Sequence, residues 1–337
     1  MRTALVEPSV GALRLAGAIL RSGGLVAFPT ETVYGLGASA LDAGAMAEVY
    51  AVKGRAADNP LIVHVGSISE AGALGRVSTV ARALAERFWP GPLTLVLPRW
   101  RGEGTVAVRC PDHPVAQTLI ALARRPLAAP SANLSGRPSP TLAEHVMAEL
   151  GGEIPLILDG GPTGYGVEST VLDVTSTPLR ILRPGGVSQE LLAKEGFDVS
   201  VQPLRPDEMP RSPGQKYRHY APSVPMVAVG PGAGGIETIR AWAEKIQEAG
   251  RRPGVIAIGE AAGPWPGSIF PDERAMAGGL FGAMRELEAK VDVILALMPP
   301  EEGIGRAIAN RLEKASAGRI YPPGHPLPDI PRGEDRS

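Results

Sequence analysis

Five stretches of this 337-residue chain gather hydroxyls, amides and cations directly after short apolar runs. If those runs are strands of an open α/β sheet, their ends form the crevice that takes a ligand. The first stretch, Pro29-Thr30-Glu31-Thr32-Val33-Tyr34-Gly35-Leu36, brings two threonines, an acid and a phenol, although a capped turn uses the same residues. The second, Lys53-Gly54-Arg55-Ala56-Ala57-Asp58-Asn59-Pro60-Leu61, sets two cations around a glycine ahead of the run that holds His64. Cations on such a loop suit phosphate, and arginine adds a bidentate fork. The last turn of a helix favours the same side chains, and His64 taken alone reads as a satisfied core histidine. In the third, Arg109 closes the alternating run from Thr105, so it stands at a strand end. A guanidinium buried there needs an anion, either an internal carboxylate or a substrate's. Its neighbour Cys110 reads as small core filler. The fourth, Ala129-Pro130-Ser131-Ala132-Asn133-Leu134-Ser135-Gly136-Arg137-Pro138-Ser139, offers many donors to phosphate or sugar oxygens, or else caps a helix starting near Pro140. The fifth is Gly166-Val167-Glu168-Ser169-Thr170-Val171, with Arg183-Pro184-Gly185 closing the next run.

Together these stretches predict a site for a small polyanion. The sequence contains no G-x-x-x-x-G-K-[ST] loop, no G-x-S-x-G elbow and no His/Cys/Asp metal spacing. From the residues alone, the reading is a nucleotide- or phosphate-using α/β enzyme.

The elements that must hold these loops follow from periodicity. Strands are expected at 25–28, 61–65, 93–97, 106–108, 127–129, 154–158, 170–174 and 180–182, with helices at 43–52, 80–88, 115–124 and 142–150. Strands outnumber helices, which predicts a mixed α/β sheet in a catalytic domain over 1–200. Met1 to Gly24 carries Arg14 and Arg21 inside its apolar pattern and reads as an amphipathic helix, not a signal peptide. Six prolines between 201 and 225 exclude a periodic element and predict a semi-rigid linker. From 226 to 320, strand (226–229), helix (236–248), strand (255–258), helix (276–290), strand (293–297) and helix (304–316) alternate strictly. That alternation predicts a small Rossmann-like, doubly wound parallel sheet. The Pro-rich tail, 321–337, is expected to be unstructured.

Gly230-Pro231-Gly232-Ala233-Gly234-Gly235 matches G-x-G-x-x-G between a strand and a helix, with Glu260 after the second strand. A dinucleotide pyrophosphate would use that context. A Gly-rich turn in a chain with 42 glycines explains it as well, and Pro231 stiffens the loop that would wrap the phosphate.

Composition bounds the alternatives. The 34 basic residues nearly cancel the 35 acidic ones, leaving a net charge of −1. That argues against a protein that coats nucleic acid or an anionic membrane. Aromatics make up 4% of the chain, too few for extensive base-stacking platforms, which disfavours an RNA-binding module with a cationic cavity. A single cysteine excludes an intrachain disulfide and points to a reducing cytoplasm. No apolar run approaches the roughly 20 residues that span a bilayer.

In order along the chain, PTETVYGLG (29–37), KGRAADNPLIVH (53–64), WPGPLTLVL (89–97), VAVRCPDHP (106–114), APSANLSGRPSPT (129–141), ESTVLDV (168–174) and ILRPG (181–185) resemble the threonylcarbamoyl-AMP synthase family. The linker SPGQKYRHYAP (212–222) resembles the long, two-domain form, so the likeness runs from about 20 to 320. The resemblance implies ATP, L-threonine and bicarbonate as substrates, with Mg²⁺ accompanying the ATP. It implies threonylcarbamoyl-AMP and pyrophosphate as products, for modification of tRNA at position 37 through a downstream threonylcarbamoyl transferase. It further implies a twisted α/β domain with a large cationic cavity. By the same likeness, Thr32, His64, Arg109, Ala129 and Ser169 would contact threonine. Lys53, Arg55, Asn59, Thr105, Ser131, Asn133, Ser139 and Arg183 would surround ATP. His219 and Tyr220 of the linker would form a lid. The family's second domain is not a dinucleotide site, which counts against that use of Gly230–Gly235. The lone Cys110 also lacks the zinc-type clusters of the larger hydrogenase-maturation relatives.

Overall fold

The apolar runs assemble two sheets in the computed structural model, which describes residues 2–100, 104–201, 219–260 and 262–331. The chain divides into two units. The first contains Met1–Ser135 and Ser139–Tyr217; the second contains Gly136–Pro138 and Arg218–Ser337.

In the first unit the elements run β1 (Ala4–Val6), α1 (Val10–Arg21), β2 (Val26–Phe28), β3 (Gly35–Ser39), α2 (Ala43–Lys53), β4 (Ile62–His64), α3 (Ile68–Leu74), α4 (Thr79–Phe88), β5 (Leu93–Pro98), β6 (Thr105–Arg109), α5 (Pro114–Ala123), β7 (Leu127–Ala128), α6 (Ala143–Leu150), β8 (Leu156–Leu158), β9 (Thr170–Asp173), β10 (Leu179–Arg183), α7 (Gln189–Lys194) and β11 (Val199–Val201). Among the described residues these strands form one mixed sheet, in the order β1-β8-β2-β3-β7-β4-β6-β5-β9-β10-β11. One face buries Val63, Leu93, Leu95 and Val108 against Ala71 of α3 and Ala81, Leu84 and Ala85 of α4. Farther along, it buries Leu36 and Ala38 with Val49 of α2 and Val146 of α6. On the opposite face, α1 and α5 cover β2, β7 and β8 through Leu20, Leu119 and Ile120. Beyond them, Ile62, Val96, Ala107 and Val171 form a small cluster drawn from strands alone. His64, Thr94 and Arg109 lie on the same face as this cluster and are likewise buried.

The N-terminal segment departs from the helix expected over its whole length. Ala4–Val6 pairs in parallel with Leu156–Leu158, and the helix begins only at Val10, capped by Ser9 Oγ accepting from the Ala12 amide. An edge strand whose partner lies about 150 residues away leaves no local periodic trace.

The second unit runs β12 (Met226–Val229), α8 (Gly235–Glu248), β13 (Pro253–Ile258), β14 (Gly267–Phe270), α9 (Glu273–Glu288), β15 (Val293–Leu297), α10 (Gly305–Ala315) and β16 (Ile320–Tyr321). The strand pairings in its sheet, β14-β13-β15-β12-β16, are all parallel. The tail is structured as far as residue 331, contrary to expectation. Tyr321 stands edge-on to Trp242, and Ile330 is buried in the unit's core. The tail's apolar side chains find a surface there, which outweighs its proline content.

That tail also settles the glycine motif. The Gly230 amide donates to Tyr321 O at 2.8 Å, and a Cβ at Gly232 or Gly234 would meet the ring of Pro323. Thr238 Oγ1 donates to Gly234 O and accepts from the Gly324 amide at 2.7 Å each. The loop thus cradles the chain's own C-terminal segment. Gly234, at φ +83°, supplies the left-handed turn into α8.

Candidate functional site

Strand register sets a single row of side chains across one face of the first sheet. His64 on β4 pairs with Arg109 on β6, and Arg109 pairs with Thr94 on β5. Thr94 pairs with Val171 on β9, and Val171 with Arg183 on β10. Directly paired residues project to the same face, so four chemically active groups align at one edge. A register shift between Ile181 and Arg183 re-aims the last of them at the row.

Arg109 is the centre. It is 4% exposed. Its Nη1 donates to Thr32 Oγ1 at 2.9 Å, its Nε to Gly91 O at 3.3 Å, and its Nη2 lies 2.6 Å from Glu31 Oε1. Thr30 Oγ1 holds the turn by donating to Val33 O at 2.7 Å and lies 2.9 Å from Thr32 Oγ1. The close approach to Glu31 is an ion contact without hydrogen-bond alignment. Both Glu31 oxygens are buried with no aligned donor among the described residues.

Next to the guanidinium, burial and the Arg109 charge push the His64 imidazole down to about 3, against weak opposition from the carbonyls of Ile62 and Leu127. His64 is therefore neutral at physiological pH. A depressed histidine also makes a prediction. Between about pH 3 and the ordinary value of 6.5, the unfolded chain holds a proton that the native state refuses. Stability should therefore fall as pH drops through that window, by up to about 1.4 kcal/mol per unit. Urea unfolding of His64→Gln from pH 4 to 8 should show a flatter acid limb than the parent; an identical limb would dismiss the effect.

On the other side of Arg109, Thr94 Oγ1 and Ser169 Oγ lie 2.8 Å apart. Arg183 Nε and Nη2 donate to Ser169 O at 3.1 and 2.9 Å, and Nη2 reaches Ser169 Oγ at 3.1 Å. Thr94 had no signal in the sequence, since it looks like any strand threonine; only the register brings it to Arg109. Ala129 follows β7; its amide donates to Ile62 O at 3.0 Å and its side chain packs in the cluster with Phe28 and Leu127.

The nucleotide set is gathered less tightly. Lys53 ends α2 but is 2% exposed, and its Nζ donates to Ser131 O at 2.6 Å and to Asn133 O. Burial and nearby Arg55 push its ammonium down to about 7. It is not the loose cation over a crevice that the sequence suggests; it is an internal strut of the 129–139 loop. Arg55 likewise donates to Asn59 O and Pro60 O, at 3.0 and 2.9 Å. Ser139 Oγ donates to Glu168 Oε1 at 2.5 Å, joining the fourth and fifth stretches. Thr105 stands at the far end of β6 and lines a cavity of about 810 Å³ with Tyr50, Asp58 and Arg99. Among the described residues lining it, Asp58 and Arg99 are of opposite charge. Of the expected cationic cluster, Arg109 is balanced by Glu31, Lys53 donates to two loop carbonyls, Arg55 donates to the carbonyls of Asn59 and Pro60, and Arg183 to that of Ser169.

Burial pushes Cys110 up to about 11, in keeping with a core thiol. Of the two residues expected to form a lid, Tyr220 is 4% exposed and stacks on Phe281 at 5.3 Å, with Arg311 over its ring, all within the second unit. His219 lies beside it, at 5.5 Å between rings. Residues 202–218 of the linker lie outside the described residues.

Fold and site together define an α/β protein of two units whose first sheet aligns buried cations and hydroxyls on one face. The Sua5/YciO/YrdC family model, described as telomere recombination, matches residues 18–185. A model for the threonylcarbamoyl-AMP synthase C-terminal domain matches 187–317. The chain is 45% identical to the threonylcarbamoyl-AMP synthase of Pyrococcus abyssi, covering 91% of this chain and 95% of that one. It is 46% identical to the Bacillus subtilis protein of the same name, over 90% and 93%. The crystal structure of P. abyssi Sua5 complexed with L-threonine is similar at a TM-score of 0.89 and 43% identity, covering 95% of this chain and 98% of that one. The chain belongs to the threonylcarbamoyl-AMP synthase family, and it is an enzyme.

Proposed function

We propose that this enzyme makes L-threonylcarbamoyl-AMP and pyrophosphate from L-threonine, bicarbonate and ATP, for threonylcarbamoyladenosine formation at position 37 of tRNA. The observation that carries the site assignment is the register row His64–Arg109–Thr94 with Ser169 and Arg183 beside it. Arg109 takes the threonine carboxylate as a fork-to-fork pair. Docking of that carboxylate competes with Glu31, whose released oxygens then suit the substrate's ammonium or hydroxyl. Thr32, neutral His64, Ala129 and Ser169 complete the amino-acid pocket.

The amine, once deprotonated, attacks bicarbonate-derived CO2 and forms a carbamate. A carbamate oxygen attacks the α-phosphorus of ATP, the bond to the β,γ-diphosphate breaks, and pyrophosphate leaves. Such a displacement needs positioning and charge neutralisation more than covalent help from the protein. Lys53 shapes the loop of Ser131, Asn133 and Ser139 under the nucleotide. Arg55, Asn59, Thr105 and Arg183 complete that set. The site's donors are guanidinium groups, hydroxyls and amides, which suit phosphate oxygens rather than a hard cation. Mg²⁺ therefore enters with ATP, held by phosphate and water. His219 and Tyr220 belong to a linker lid that shields the labile carbamate and mixed anhydride from water. The catalytic domain spans 1–200, the linker 201–225 and the second domain 226–320. The enzyme works in the cytoplasm and hands its product to a threonylcarbamoyl transferase acting on tRNA.

Pyrophosphate release by the full chain, measured with each substrate omitted in turn, tests this directly. Release should require threonine, bicarbonate and ATP together; release without threonine or without bicarbonate rejects the reaction.

A further inference from the structure

Three buried polar atoms of the first unit converge without an aligned hydrogen bond: both carboxylate oxygens of Glu31 and Nη2 of Arg109. The two residues are 8% and 4% exposed. Such atoms are costly to bury, and a cluster of them points to a ligand that supplies the complementary donors and acceptor.

The Glu31 carboxylate is held where it stands. The Glu31 carbonyl accepts from the Tyr165 amide at 2.8 Å, and the Thr32 carbonyl from the Gly166 amide at 3.1 Å. Thr30 Oγ1 donates to Val33 O at 2.7 Å, so the turn is tied on both sides of the side chain. The imidazole that senses Glu31 brings no counter-charge. His113 caps α5, its Nδ1 accepting from the Val115 amide at 3.2 Å, and burial holds the ring below its ordinary value against Glu31 and Asp112. His64 is neutral as well. Arg109 is thus left as the counter-charge of Glu31.

This pair selects a pattern of charge. A ligand carboxylate docked on Arg109 draws the guanidinium's charge from Glu31, and a buried carboxylate so deprived needs a cation, not merely a hydroxyl. An α-amino acid carries that cation on the carbon that bears its carboxylate. Laid against the pair, its carboxylate meets Arg109 and its ammonium meets Glu31. Four charges then alternate around a ring, and no net charge is added to a buried site. An acid without the amine would add a negative charge there, and an amine without the acid a positive one. The hydroxyl of threonine is left to the neutral groups Thr32 and His64.

We propose that Glu31 is a specificity-determining residue of the amino-acid site: its carboxylate takes the α-ammonium of the substrate and, with Arg109, selects zwitterionic α-amino acids against hydroxy acids and simple amines. The inference rests on the assignment of Arg109 to the threonine carboxylate made above.

Direct titration of the full chain with L-threonine, L-threoninol and β-hydroxybutyrate tests it without turnover. L-Threoninol lacks the carboxylate and β-hydroxybutyrate lacks the amine. The parent should bind L-threonine about a hundredfold more tightly than either analogue. Glu31→Gln keeps the shape and loses the charge. It should weaken L-threonine about a hundredfold and tighten β-hydroxybutyrate about tenfold, since a lone carboxylate then neutralises Arg109. ATP affinity should stay within about twofold. A general loss of structure cannot tighten one ligand while it loosens another. Glu31→Asp keeps the charge on a shorter arm and should bind L-threonine more weakly while still preferring it to β-hydroxybutyrate. The comparison of ligands in the parent needs no variant to fold. A parent that binds β-hydroxybutyrate as well as L-threonine, or a Glu31→Gln chain with parent-like affinities, would overturn the proposal while leaving the function intact. A parent chain that binds no L-threonine would instead remove the assignment on which the proposal rests, and the proposal with it.

Discussion

Arg109→Ala is expected to abolish threonine-dependent pyrophosphate release and to destabilise the fold by about 3–5 kcal/mol. The two effects share one cause. Arg109 and Glu31 sit 2.6 Å apart, with side chains 5% and 9% exposed. Removing the guanidinium leaves a carboxylate buried without a counter-charge, and an unpaired buried ion costs far more than the pair contributed. It also releases Thr32 and Gly91, which the same group holds. Two measurements separate stability from function. Urea unfolding of Arg109→Ala/Glu31→Gln should recover much of the lost stability, since the orphaned charge is gone, while threonine saturation stays lost. Arg109→Lys should keep the charge but not the fork, raising the threonine KM with a smaller stability loss. If threonine dependence survives in Arg109→Ala, the residue's assigned role is wrong.

The parts of this site differ in how legible they were from sequence. Arg109 could be found because it closes an alternating apolar run, a pattern that places a charge at a strand end. His64 could not be told from a core histidine, because its meaning lies in the residue across the strand pair. Thr94 was invisible for the same reason. Lys53 was visible but misjudged: a cation in a helix's last turn ordinarily snorkels to water, yet here it turns inward to two carbonyls of a distant loop. Local pattern specifies which face a residue shows; long-range register decides what it meets.

The fold divides along the same line. The six elements expected of the second unit stand where periodicity sets them, but β14, which follows β13 with no helix between, breaks the strict alternation. The strand β3 was missed because its sequence, GLGAS, has no β-branched residue. Its glycines answer to packing instead: a Cβ at Gly37 would sit 2.7 Å from the Phe28 ring. The edge strands β1 and β16 depend on partners far along the chain, 156–158 and 228–229. Nothing nearby in sequence announces such contacts.

Gly185→Ala, a single methyl added away from any ligand-facing atom, should be nearly as damaging as loss of Arg109. Its Cβ would fall within 3.0 Å of Ser169 C, Thr170 N and Glu168 O. All three are backbone atoms, so no side chain can swing aside, and the 168–170 segment must move. That segment is pinned on the other side, where the Thr170 amide donates to Pro92 O at 2.9 Å and Thr170 Oγ1 to Val187 O at 2.5 Å. Strain therefore goes into the Ser169 contacts with Thr94 and Arg183. Overpacking of this kind costs about 3 kcal/mol at the upper end of its range. A displacement approaching 1 Å at a positioning residue can lower turnover about a hundredfold. Gly72→Ala is the matched control: Gly72 lies in α3 with nothing within 4 Å of its added Cβ. There the same methyl should raise stability by about 0.5–1 kcal/mol, because alanine is the better helix former. Thermal unfolding and pyrophosphate release on the two variants side by side should diverge in both quantities. A Gly185→Ala enzyme with parent-like turnover would mean that Ser169 does not need its observed position.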